Sequence, residues 1–223
     1  MKLKIRKMVI TAMLAALAYV AMVFIKIPLV PGAPFLKYEP KDVLLVITGF
    51  LVGPVQGFVS VILVCLLEMV TVSDTGPIGL LMNVISSLFF VFPAALIYHK
   101  KKTMLGAIIG LLTGVISMTG VMMLWNYLIT PIYMNVPREV VVAMLPTAFL
   151  PFNLIKATIN MAITLIIYKP ISKLFSVTGL LRKEKTEADA TKKSAGFSPL
   201  AIILGVLLLA TCGFAIFLMM QSV

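Results

Sequence analysis

Apolar runs separated by short polar clusters, prolines and glycines organise this chain: residues 8–27, 42–53, 55–72, 78–98, 104–129, 145–168 and 199–220. About 20 apolar residues in a helix cross the roughly 30 Å hydrocarbon core of a bilayer, so the pattern predicts successive transmembrane helices. The second and third runs need separate treatment. Leu51-Val52-Gly53-Pro54-Val55-Gln56-Gly57 is too polar and too rich in helix breakers for the middle of one helix. Residues 42–72 therefore read as a short helix, a tight turn and a second helix, with one long helix kinked at Pro54 as the alternative.

Composition agrees with the pattern. Of 223 residues 61% are hydrophobic and 12% charged, whereas an ordinary soluble domain carries about 25% charged residues. A soluble globule is excluded, and the expected fold class is an all-α integral membrane protein. The first run follows a basic start, Lys2 to Lys7, as in a signal peptide, but it continues past Phe24 to Pro28 without an Ala-x-Ala cleavage site. It reads as a span that stays in the protein.

The net charge of +11 does not form the basic face that nucleic-acid binding requires; Lys and Arg fall in clusters between apolar runs. No nucleic-acid partner is expected. Segments 1–7, 99–102 and 169–193 hold 4, 3 and 7 of the 19 basic residues, which places them and the N-terminus on the cytoplasmic side of a multi-pass cell-membrane protein. Lys37, Lys41 and Arg138 then lie outside with Glu39, Asp42, Asp74 and Glu139. If 42–72 were a single span, His99-Lys100-Lys101-Lys102 would face outward, which favours the two-helix reading. The last run, 199–220, puts the C-terminus outside. Only 181–196 is polar enough for a linker, so the chain divides into a six-span body at 1–177, a charged cytoplasmic linker at 178–197 and an additional C-terminal helix at 198–223. Six short spans without an internal repeat are few for an autonomous carrier, which argues mildly for a subunit or a receptor.

An ionisable group inside hydrocarbon needs a partner, an aqueous cavity or a ligand. Lys156 is the clearest such group. Asn153 and Asn160 stand three residues before it and four after, so the three share one helical face. Either that face looks into the bundle, or Lys156 snorkels to the outer interface and the asparagines only join helices. Trp125-Asn126-Tyr127 ends the fifth run, followed by Tyr133; the aromatics serve an interfacial belt or a binding site. An asparagine amide, a lysine ammonium and aromatic or methionine faces such as Met122 and Met123 suit a planar heterocycle bearing carbonyls and ring nitrogens. The proline-rich loop 28–42 carries Phe35, Leu36, Lys37, Tyr38 and Glu39, a run able to cap a cavity, with Asp42 expected as the N-cap of the next helix. Glu68 and Asp74 bracket the outer end of the third run; Glu68 either pairs with Lys156, accepts hydroxyl donors or serves the helix end. Ala12 and Ala16 present small residues one turn apart for internal packing or for docking another membrane protein. Gly106, Gly110 and Gly114 are expected to pack inside the body.

No catalytic constellation is present. Cys65 and Cys212 lie in apolar runs without metal-ligand neighbours, His99 stands alone, and there is no G-x-x-x-x-G-K-[ST] loop. Neither enzyme nor metal chemistry is expected, and any ATP-driven step belongs to another chain.

Pro34-Phe-Leu-Lys-Tyr-Glu-Pro-Lys-Asp42 leads into a short helix ending Gly49-Phe-Leu-Val-Gly-Pro54. With the Ala-rich first helix, Asn126 closing the fifth span and Asn153-x-x-Lys156 in the sixth, it resembles the substrate-binding S components of energy-coupling factor (ECF) vitamin transporters, those for riboflavin above all. The resemblance covers about 1–177. It implies a compact six-helix S-component bundle with riboflavin as transported ligand and no cofactor. In that reading Asn126 and Lys156 contact the isoalloxazine ring, Trp125 and Asn153 lie beside them, and residues 35–39 with Glu68 and Asp74 close the cavity. Ala12 and Ala16 correspond to a docking motif for the transmembrane coupling subunit (EcfT), which joins two cytoplasmic ATPases. Another vitamin, a flavin nucleotide (FMN), or a non-transport assembly role for the Ala and Gly faces are the alternatives. The helix at 199–220 has no counterpart in the family pattern.

Overall fold

The computed structural model describes residues 2–30, 36–73, 75–177 and 199–221. Helix α1 (Lys2–Phe24) is followed by a two-stranded antiparallel ribbon, β1 (Ile27–Pro28) and β2 (Lys37–Tyr38), in which Ile27 faces Tyr38. Helices α2 (Lys41–Leu51), α3 (Pro54–Thr71), α4 (Gly76–Lys101) and α5 (Met104–Leu128) come next. Two short helices, α6 (Thr130–Met134) and α7 (Arg138–Met144), lead through a π-helical turn (Leu145–Phe149) into α8 (Leu150–Val177), and α9 (Pro199–Gln221) completes the order.

Gly53 and Pro54 separate α2 from α3 as their chemistry dictates. Gly53 adopts φ 144°, open to glycine without steric cost, and Pro54 occupies the first turn of α3, where its missing N–H leaves no bond unmade. The two-helix reading of 42–72 holds. The second run is not a full span, however: eleven residues at 1.5 Å each reach about 16 Å, half the hydrocarbon thickness. Among the described residues six helices are long and apolar enough to cross a membrane: Lys4–Phe24, Pro54–Thr71, Gly76–Lys101, Met104–Leu128, Arg138–Val177 and Pro199–Met220.

The sixth run also extends beyond its apolar part. Helical structure begins after Pro137 and continues past Pro170 to Val177. Pro146 and Pro151 each remove a backbone donor, and the wider π turn lies between α7 and α8 where those donors are missing.

Two apolar clusters hold the molecule together. The larger gathers Ile10, Leu14 and Ala18 of α1, the apolar residues of α2, and buried faces of α3, α4, α5 and α8. Gly110 and Gly114 allow α5 to lie directly on α4, since a Cβ there would come within 2.7 Å of the Ala94 carbonyl and 2.6 Å of the Phe90 carbonyl. The smaller cluster joins Leu29, Val30, Leu36 and Tyr38 of the first loop to Val141, Phe149, Phe152 and Ile155, with Cys212 from α9. It lies at the end of the bundle where α2 starts and α3 finishes.

Candidate ligand-binding site

The charged pair Lys41-Asp42 opens α2, yet both side chains are fully buried. Hydrocarbon does not tolerate this without partners. Lys41 Nζ pairs with Glu68 Oε2 near the end of α3, lies 3.3 Å from Glu39 Oε2, and is 3.8 Å from the Met22 sulfur. Asn83 of α4 donates to the other Glu68 oxygen at 2.7 Å. Because Glu68 stands one turn before the end of α3, these bonds draw the first loop down into the mouth of the bundle. At the rim Lys26 reaches Glu39 at 3.9 Å.

Asp42 does not act as the expected N-cap. Pro40 holds the cap position without a side-chain bond, and the Asp42 carboxylate instead accepts from Ser87 of α4 at 2.5 Å and from Asn160 of α8 at 3.4 Å. Asn160 Oδ1 accepts from the Tyr38 hydroxyl at 3.0 Å. Burial, aided by the Asp42 carboxylate, pushes the Tyr38 phenol well above its ordinary range, so it stays a donor at physiological pH. One polar network thus ties the loop to α2, α4 and α8.

On α8 the expected polar face is real and turned inward: Asn153, Lys156 and Asn160 are all buried, which disposes of the snorkelling alternative. Asn153 Nδ2 donates to the Phe149 carbonyl at 2.7 Å, next to the π turn. Asn126 is buried on α5, which packs against α8; its amide donates to the Met122 carbonyl at 2.7 Å and accepts from Thr130 at 2.9 Å. Each amide keeps a further N–H and lone pair for another partner. Lys156 differs from them: with the described residues it forms neither hydrogen bond nor ion pair. Glu68, one expected partner, is bonded to Lys41 instead.

Trp125 is half-buried and, with Thr75, Ile78, Met82, Thr130 and Tyr133, lines a small recess of about 30 Å³, room for about two waters. Tyr127 and Tyr133 are exposed, and the Arg138 guanidinium lies 5.2 Å from the Tyr127 ring centre. Within the first loop Leu36 is buried, Lys37 exposed and Glu39 half-buried, while the Leu36 carbonyl is taken by the Leu29 N–H at 3.2 Å. Phe35 and Asp74 lie outside the described residues. Ala12 and Ala16 are exposed on the outer side of α1, whereas Ala15 and Ala18 turn inward; the first pair is not used for packing within the body.

Sequence reading missed Lys41, Asn83 and Ser87. Asn83 and Ser87 carry a usable signal, two polar residues one turn apart within an apolar helix. Lys41 carries none, because its neighbours Glu39 and Asp42 make it look like part of a solvated loop.

A family model described as the ECF transporter, substrate-specific component, matches residues 6–168. The chain is 33% identical over 171 residues to the riboflavin transporter FmnP of Bacillus subtilis (strain 168), covering 70% of this chain and 87% of the relative. It is 27% identical over 173 residues to the riboflavin transporter RibU of Staphylococcus aureus (strain TCH60), covering 75% and 90%. A solved S component of a bacterial ECF transporter superposes with a TM-score of 0.65 at 27% identity, covering 77% of this chain and 98% of that one.

Proposed function

Because the chain belongs to the substrate-specific components of ECF transporters, we propose that it is the riboflavin-binding subunit of such an importer. It captures riboflavin outside the cell and delivers it to the cytoplasm together with a coupling subunit (EcfT) and two ATPases on separate chains. The observation that carries this reading is Lys156, a buried ammonium without a bonded partner among the described residues, on a face shared with Asn153 of α8, a helix that packs against the Asn126-bearing α5. The pyrimidine edge of a flavin presents carbonyl acceptors and an imide N–H, which a lysine and an asparagine amide complement. Trp125, Leu36 and Tyr38 supply apolar cover, while Glu68, with both oxygens bonded to Lys41 and Asn83, holds the first loop rather than the ligand. The names of the B. subtilis and S. aureus relatives favour riboflavin over other vitamins.

In this reading the N-terminus and the basic segments 99–102 and 169–193 are cytoplasmic, and the site opens outward. Residues 1–177 form the binding body, 178–197 the linker and 198–223 the additional helix. The exposed Ala12 and Ala16 let the coupling subunit approach α1 closely. Titration of the purified protein with riboflavin, followed by flavin fluorescence, tests the reading. Saturable one-to-one quenching, with FMN competing more weakly, is expected. No binding of riboflavin, or tighter binding of FMN, overturns it.

A further inference from the structure

Three lysines and three carboxylates converge on the mouth of the bundle, and their pairing is uneven. Lys41 holds two carboxylates, Glu39 and Glu68. Glu68 has both oxygens occupied, one by Lys41 and one by Asn83. Asp42 is held by the neutral donors Ser87 and Asn160. Lys156 lies one turn before Asn160, which donates to Asp42 beside the Lys41–Glu68 pair, but is bonded to no described residue. A carboxylate attracts an ammonium more strongly than a neutral carbonyl does, because both partners carry charge. A Glu68 released from Lys41 would therefore compete with a neutral carbonyl of the proposed ligand for Lys156.

We propose that Lys41 is a positioning residue that commits Glu68 to itself and so keeps the Lys156 ammonium available to an acceptor group of the ligand. The inference rests on the proposed riboflavin site and adds the source of its specificity: the site selects ligands that present an acceptor edge to Lys156. Lys41 touches no ligand in this scheme. It acts through Glu68, and the same contact fixes the start of α2 inside the bundle, so positioning and folding roles need separate readouts.

A double-mutant cycle separates them. Riboflavin dissociation constants are measured by fluorescence quenching on the full-length protein, on Lys41→Met, on Lys156→Met and on the double variant. Lys41→Met is expected to weaken binding at least about tenfold, since the released Glu68 turns to Lys156. In the Lys156→Met background the same change is expected to add less than about a twofold loss, because the group it protects is gone. Equal losses in both backgrounds overturn the inference and leave Lys41 a purely structural residue. Adding Glu68→Gln to Lys41→Met removes the competing carboxylate and is expected to recover most of the lost affinity. If Lys41→Met does not purify as a folded protein, that Lys41→Met/Glu68→Gln pair, which leaves Glu68 uncharged, takes its place. Binding within about fivefold of the parent supports the inference, and a larger loss overturns it. Failure of the unmodified protein to bind riboflavin is a different result: it removes the proposed function itself, and the inference with it.

Discussion

Two buried lysines stand at the mouth of this bundle in opposite circumstances, and the difference sets what substitutions there do. Lys156 is bonded to no described residue, so its removal is expected to cost the fold little and, in the proposed site, the ligand much. Hydrogen bonds to charged groups contribute about 1.5–3 kcal/mol, and Lys156→Met is expected to weaken riboflavin binding roughly ten- to hundredfold with little change in melting temperature. Asn126→Ala behaves differently: its amide also serves Met122 and Thr130, so thermal stability and affinity fall together. Tyr38→Phe removes the donor to Asn160 and leaves a buried amide oxygen short of a partner, a cost of about 1–3 kcal/mol. Its expected signature is a lower melting temperature with faster riboflavin dissociation, both measurable in detergent solution. The inward burial of Lys156 was legible because Asn153 and Asn160 fall on its own helical face in the sequence. That of Lys41 was not, because its partners Glu68 and Met22 are brought to it by two separate helices, α3 and α1, and a count of loop charges assigns it to the outer surface.

At the scale of elements, the division of 42–72 was legible in Gly53-Pro54, where the backbone chemistry leaves one answer. The depth of α2 was not, since an apolar run records hydrophobicity and not where its first residue sits; ion pairs at Lys41 pull the helix start inward. The break between α7 and α8 was hidden for a related reason: apolar residues run on through Leu145–Phe149 while the missing donors of Pro146 and Pro151 change the helical register. Close packing of α4 on α5 was readable in the glycines at 106, 110 and 114. Gly114→Val places side-chain atoms against the Phe90 carbonyl, which a Cβ alone approaches to 2.6 Å. Overpacking of this kind costs about 1–3 kcal/mol. Thermal unfolding should show the loss, while folded protein keeps its affinity, because Asn126 lies three turns further along α5.

The whole molecule differs most from what its sequence suggests in the place of α9. A charged linker followed by one apolar helix reads as an anchor that a complete six-helix body does not need, and the family match ends at residue 168. The structure gives α9 a face against the body. Gly205 sits against α8, where a Cβ would come within 2.9 Å of the Ala162 carbonyl, and Cys212, Ala215, Ile216 and Met219 pack into the cluster that holds Leu29, Leu36 and Tyr38 of the first loop beside Phe149 and Phe152. The loop that carries the candidate cover of the site therefore shares its apolar support with a helix beyond the family's extent. Burying one such side chain contributes about 1.5–3 kcal/mol at most, so truncation after Val177 uncovers apolar surface worth several such contacts. The expected result is a protein that still binds riboflavin but melts several degrees lower and releases the ligand several-fold faster. The docking proposed for Ala12 and Ala16, on α1, should be unaffected. Equal melting temperatures and dissociation rates for the full and truncated chains would make α9 an anchor alone; a shift in both makes it part of the wall that holds the first loop in place.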